Sequence, residues 1–302
     1  MMAELYKKLL GMRKINRKIR WRVSAKPVFE EDLTRDLLAS KLLKAGDVLM
    51  VHSSLSSIGN VLGGPEAVCR VFQRVLTESG TLLMPTYHQP EPILKMIRKG
   101  SLVDLRTAES TMGKLTEVFR TIPGVRRSSH PFSSVSAWGR YSKQMTTGHD
   151  GSPYICGPGS PFVQLIEKSG KYMGIGIDIR VIALYHVLEE TWSDFPLRVH
   201  YPKPFNVRYI DSSGNRVERQ LIILDPAVAK TRIDREVEGA WIRKWLTNYM
   251  RNKGILHEIK LGQANSWIVD GQSFYDEMML LAVRGITIYT TKGGFDSIKN
   301  EG

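Results

Sequence analysis

The chain has 302 residues, 42% hydrophobic and 24% charged, a globular balance that excludes wholesale disorder. No apolar run approaches the roughly 18 residues that span a bilayer, and the N-terminus lacks the apolar core of a secretory signal, so a cytoplasmic protein is expected. The net charge of +13 is uneven, because residues 1–26 hold nine Lys or Arg against Glu4 alone, while the rest carries 34 basic and 29 acidic residues.

The first element in chain order is that basic segment, taken as residues 1–27. Leu5, Leu9, Met12 and Ile19 fall near one helical face among Lys and Arg. The pattern suits a helix docked on the protein body, or one lying on an anionic membrane surface. No RNA-recognition motif, zinc finger or aromatic-basic ladder accompanies it, so no nucleic-acid partner is expected. Cys69 and Cys156 lie far apart in neither CxxC nor finger spacing and read as reduced thiols.

Glu30 to Leu43 has helical spacing, and Gly46-Asp47 opens a strand over Val48–Val51. Pro65 begins a helix whose stripe is Ala67, Val68, Val71, Phe72, Val75 and Leu76. Gly80 stops it, and Thr81–Met84 is the next strand. Strand, helix and strand of this length predict a parallel pair with a right-handed crossover.

Residues 88–110 read as a long active-site loop with a short helix near Ile93–Ile97. Lys114–Thr121 is helical and Val135–Trp138 a strand. A helix starts at Ser160-Pro161 and stops at Gly170, Lys171–Ile177 is a strand, and Ala183–Thr191 is helical. Beyond Pro204, Asn206–Ile210 and Val217–Leu224 flank Ser213-Gly214-Asn215, a hairpin signal. Helices over Asp234–Met250 and Ser273–Val283, with strands at Trp267–Val269 and Ile286–Thr290, close the chain. The whole reads as α/β: a mixed, largely parallel central sheet flanked by helices, with an α+β extension. Residues 28–302 form a single domain, core 28–200 and extension 201–302.

The stretch "VLMVHSSLSSIGNVLGGPEAV" joins a buried strand to a helix through small polar residues. Such a loop lays backbone N–H groups and a helix N-terminus against an anionic or amide-rich ligand. It is neither a Walker A loop nor GxGxxG. Followed in order by "GTLLMPTY", "TMGKLTEVFRTIPGVRRSSHPFSSVSAWG", "GPGSPFVQLIEKSGKYMGIG" and "LYHVLEE", it resembles the aminoglycoside 3-N-acetyltransferase family. These are antibiotic N-acetyltransferases that use acetyl-CoA. The resemblance is strong over residues 30–192 and looser beyond. It implies a fold distinct from the GNAT acetyltransferases, whose pyrophosphate loop the sequence lacks.

The resemblance implies CoA contacts from Ser53, Ser54 and Leu55, with His52 beside them, and cofactor-side lining from Arg127, His130 and Ser134. It places Tyr87 and Asp104 at the acceptor, a small-molecule amino sugar, and makes His186 the general base with Glu189 as its partner. The chemistry agrees: residues three apart share a helical face, imidazole titrates near neutrality, and a carboxylate orients the ring. No metal is expected. His-x-x-Glu can hold one, but a further ligand is needed, for which His52, His88 and His130 stand only as neighbours in the expected fold. No GxSxG elbow marks a serine hydrolase, although a Ser53–His186 pair stays open.

One departure concerns the acceptor. Aminoglycosides are polycations, whereas the 88–106 loop carries Lys95, Arg98, Lys99 and Arg106 against Glu91 and Asp104. The alternatives are an amino sugar on a nucleotide or lipid carrier, a non-catalytic CoA- or membrane-binding member, and a metal hydrolase. A homodimer is compatible with all of them.

Overall fold

The computed structural model describes residues 26–235, 240–290 and 296. Most of the basic N-terminal segment, and with it the expected membrane-facing helix, lies outside the described residues. The strands run β1 (Pro27–Val28), β2 (Val48–Ser53), β3 (Asn60–Val61), β4 (Thr81–Pro85), β5 (Val103–Asp104) and β6 (Arg126–Arg127). They continue as β7 (Val135–Gly139), β8 (Lys171–Ile175), β9 (Phe205–Ile210), β10 (Arg216–Leu221), β11 (Leu256–Leu261) and β12 (Ala264–Asp270).

Sheet position follows from residue type. Val48, Leu49, Met50 and Val51 of β2 are all buried, as a strand covered on both faces requires. Successive side chains enter opposite cores: Val48 and Met50 join one cluster, Leu49 and Val51 the other. The seven-stranded main sheet has the order β11-β12-β8-β2-β4-β7-β6. Strand β2 is parallel to both β8 and β4, and antiparallel strands complete each side. The mixed sheet between helical layers is the expected α/β fold, but its pairing is not largely parallel, since only β8–β2 and β2–β4 are parallel.

The Gly64–Leu76 helix makes the expected crossover between β2 and β4. Gly63 enters it at φ +77°, a left-handed geometry that favours glycine, and seven of its residues are buried. It packs with Glu30–Ala39 and Lys114–Phe119 over one face. Helices Pro161–Glu167, Leu184–Thr191, Ala240–Asn252 and Gly271–Val283 cover the other.

Five expectations about individual segments need correction. The first helix ends at Ala39, and Lys41 takes φ +58°, so residues 40–43 form a turn. The 201–302 segment is no simple extension, because β12 lies against β8 and, with β11, completes the main sheet. The hairpin β9–β10 joins β5 instead, in a separate three-stranded sheet. That sheet and the Ile93–Arg98 helix share a core of Met96, Val103, Leu105, Phe132, Val207, Tyr209 and Leu221, so much of the expected long loop is ordered structure. Residues 286–290 form a turn, since the hydroxyls of Thr290 and Thr287 accept from the N–H groups of Thr287 and Tyr289 at 2.7 and 3.1 Å. The helix expected from Asp234 is seen from Ala240, after a short 3-10 turn at Ile233–Arg235; residues 236–239 lie outside the described set.

Gly174 of β8 lies under the Trp267 indole, where an added Cβ would come within 2.2 Å of the ring. Gly174→Ala is expected to cost about 1–3 kcal/mol through overpacking, read as a lowered urea midpoint. An unchanged midpoint would remove the close-packing argument for this position.

Candidate active site

The catalytic pair expected from sequence is assembled on the Leu184–Thr191 helix. Leu184, Tyr185, Val187 and Leu188 face the core, leaving His186 and Glu189 to meet across one turn. His186 Nδ1 lies 2.7 Å from Glu189 Oε2. The His186 side chain is 25% exposed and that of Glu189 only 2%. Since a carboxylate accepts, Nδ1 carries the proton and the lone pair of the neutral ring is at Nε2.

Burial raises the Glu189 carboxyl, but the His186 charge and hydrogen bond, the Tyr289 hydroxyl and the Arg232 charge together hold it below its ordinary value. Tyr289 donates to Oε1 at 3.0 Å. Arg232 Nη1 stands 3.5 Å from His186 Nε2. Arg232 is itself bound to Asp234 at both ends of the carboxylate, at 3.0 and 2.9 Å. The sequence reading missed Tyr289, Arg232 and Asp234. No local motif marks them, because they meet the pair only through tertiary folding.

The helix is positioned by aromatic rings rooted in the main sheet. The Tyr172 hydroxyl on β8 accepts from the Ala183 N–H at 3.1 Å, just before the helix. Trp267 Nε1 on β12 donates to the Ile177 carbonyl at 2.8 Å. The Tyr172 and Trp267 rings stack at 6.1 Å, and His52 stacks on Tyr172 at 5.3 Å. The end of β2 and the start of the catalytic helix therefore rest on one tyrosine.

The serine loop closes on itself. Ser54 N–H donates to the Ile175 carbonyl at 2.8 Å and Ser57 Oγ to Ser54 Oγ at 2.9 Å. Leu55–Ser57 forms a 3-10 turn, and Ser53, Ser54 and Leu55 stay partly exposed. His52 Nε2 is buried without a hydrogen-bond partner, and burial drives that imidazole well below its usual value, keeping it neutral.

The other expected cofactor residues lie elsewhere. Arg127 turns inward: its guanidinium donates to the carbonyls of Thr86, Leu105 and Ala108 and to Ser134 Oγ. Ser134 is fully buried and donates to the same Thr86 carbonyl. His130 is 1% exposed, its Nδ1 accepting from the Ser133 and Phe132 N–H groups, and its ring stacks on His149 at 4.7 Å. Arg127 ties the β4–β7 region to the segment after β5, Ser134 bonds within that region, and His130 Nε2 is buried without a hydrogen-bond partner.

Tyr87 is half-buried against the larger core. Burial, then Cys156, Tyr172 and Glu190, raises its phenol far above the ordinary value. Asp104 lies on β5 and is bound by Arg106 Nε and Nη2 at 3.0 and 2.7 Å. Glu190, also unforeseen, accepts from the Cys156 N–H and lies 3.2 Å from His200 Nε2, fastening the helix end. Among the described residues, no three His, Cys, Asp or Glu side chains gather in a metal-holding group, so His52, His88 and His130 do not join His186 and Glu189. No helix among them is long and apolar enough to cross a membrane.

Residues 50–281 match the family model for aminoglycoside 3-N-acetyltransferase. The SPbeta prophage-derived aminoglycoside N(3')-acetyltransferase-like protein YokD of Bacillus subtilis (strain 168) is 32% identical over 196 residues, covering 60% of this chain and 69% of that protein. The crystal structure of aminoglycoside acetyltransferase AAC(3)-Xa superimposes with a TM-score of 0.71 at 25% identity, covering 88% of this chain and 95% of that one. AAC-IIIb, solved as a binary complex with CoASH, shares the fold with a TM-score of 0.67 at 22% identity, over 83% and 94% of the two chains.

The neutral buried histidines predict acid sensitivity. Burial lowers His149 from 6.5 to about 4, and His130 falls for the same reason with His149 adding to it. Between these limits the unfolded chain takes up protons that the folded one excludes. Stability is therefore full above about pH 6.5 and declines as pH falls toward 4, by up to about 1.4 kcal/mol per pH unit per histidine. The urea midpoint should drop from pH 7.5 to 5, and His149→Gln should flatten the slope. An identical slope in the variant would contradict this assignment.

Proposed function

The chain belongs to the aminoglycoside 3-N-acetyltransferase family, and we propose that it transfers the acetyl group of acetyl-CoA to an amine of an amino sugar, with His186 as general base. The observation that carries this reading is the 2.7 Å His186–Glu189 bond, which leaves Nε2 as the proton-accepting atom on a partly exposed ring. Acyl transfer to nitrogen requires a base at that atom, because the amine must lose a proton as its bond to carbon forms. Glu189 stabilises the imidazolium that results.

The serine loop suits the cofactor's tail. Ser53, Ser54 and Leu55 present hydroxyl and backbone groups at the end of β2, in the stretch that leads on to the Gly64–Leu76 helix. Gly63 and Gly64 bring no side chains of their own to that helix start, at φ +77° and +62°, and the Arg70 guanidinium lies close by. Bare N–H groups at a helix start favour phosphate, and a narrow polar loop favours pantetheine amides. Family membership and the CoASH complex of AAC-IIIb support the same cofactor.

A specific observation favours an acceptor on an anionic carrier. Across residues 88–106, Lys95 and Lys99 pair with Glu91, and Arg106 pairs with Asp104. Both loop carboxylates are thus neutralised, which leaves a cationic surplus that would repel a polycation and attract phosphate.

Two measurements test the reading. His186→Ala is expected to lower kcat about 100- to 10,000-fold in a thiol-release assay while CoA still binds; full activity would refute the base. In a panel of acceptors, nucleotide-linked amino sugars should give the higher kcat/KM, and efficient acetylation of aminoglycosides alone would defeat the anionic-carrier reading.

A further inference from the structure

We propose that Arg232 is a second catalytic residue, the donor that receives negative charge on the thioester oxygen. The proposal rests on the acetyl-transfer reading above and assigns work to a cation which that reading leaves idle. Arg232 is 2% exposed. Its Nε and Nη2 are held by Asp234 Oδ1 and Oδ2 at 3.0 and 2.9 Å, so the guanidinium plane is fixed. The remaining nitrogen, Nη1, stands 3.5 Å from His186 Nε2, the nitrogen that Glu189 leaves free.

A guanidinium has donors only, so it neither accepts nor stores the proton. At 3.5 Å its contact with Nε2 is at the long limit of a hydrogen bond, and an amine arriving at about 2.9 Å displaces it at little cost. In direct acyl transfer the base nitrogen and the oxyanion donor must both lie about 3 Å from the reacting atoms. A donor adjacent to the base nitrogen meets that requirement. Asp234 sets its direction before substrate arrives, and such preorganisation is what makes a charge-stabilising donor effective.

The step balances. The amine lone pair forms a nitrogen–carbon bond to the thioester carbonyl, and the carbon–oxygen π pair moves to oxygen, where Arg232 Nη1–H binds it. His186 Nε2 takes the amine proton. As the oxygen pair returns, the carbon–sulfur bond breaks and the thiolate takes that proton from the imidazolium, leaving an amide and a free thiol. Asp234 balances the buried guanidinium throughout.

Two variants test this: Arg232→Lys, which keeps the charge but loses the fork, and the double variant R232Q/D234N, which leaves no unpaired buried charge. With acetyl-CoA and an amine that the wild-type chain acetylates, kcat should fall about 100- to 1,000-fold in both. KM for acetyl-CoA and the thermal midpoint of the double variant should stay near wild type. R232K/H186A should lose little beyond H186A alone, as residues of one catalytic unit do. A double variant that keeps kcat, or a loss confined to KM for the amine, overturns the oxyanion role and leaves acetyl transfer standing. A wild-type chain that releases no thiol with any amine overturns both.

Discussion

The site depends on one buried carboxylate. Glu189 has a side chain 2% exposed, and an ion so placed is tolerated only when its lone pairs are met by donors. Those donors are the imidazole one turn back on its own helix and a phenol one hundred residues further along the chain. Satisfying the charge fixes the tautomer and tilt of His186, so the orientation of the imidazole follows from electrostatic necessity. Arg232, paired with Asp234, adds a cation on the far side of the ring.

The main sheet fixes where that carboxylate can be. Parallel β2 and β8 end side by side, one leading into the serine loop and the other into the segment that launches the catalytic helix. Tyr172 touches both, through the His52 ring and the Ala183 N–H. A displacement of the serine loop is therefore felt at the helix carrying His186 through one side chain, and Trp267 buttresses that contact from β12.

Local pattern carried much of this into the sequence. Short apolar runs opened by Gly46-Asp47 and Gly80 marked β2 and β4, helical spacing marked Gly64–Leu76, and a three-residue interval put His186 beside Glu189. What escaped was fixed by distant contacts. The stretch Ile286–Thr290 has strand-like composition, but Thr287 and Thr290 spend their hydroxyls on the backbone and turn it, which brings Tyr289 to Glu189. Strand β11, whose alternation over Leu256–Leu261 is interrupted by charged residues, showed its place only once β12 lay against β8. Arg127 reads as a phosphate ligand from its neighbours in sequence, yet it meets three backbone carbonyls within the fold. Arg232 has no motif at all.

The three-stranded satellite sheet draws its strands from two well-separated stretches, 103–104 and 205–221, and has a hydrophobic interior of its own. It is tied to the rest at several points: Arg127 donates to the Leu105 and Ala108 carbonyls, Tyr209 to the Ser129 carbonyl, and the Ile222 N–H to the Pro153 carbonyl. The region holding Asp104 and the charged Ile93–Arg98 helix thus has its own core but is fastened to the main body. The ion pairs on its surface, Lys95 and Lys99 with Glu91 and Arg106 with Asp104, share no bond with the Glu189 network, so charge changes there would leave the bonds that orient His186 intact.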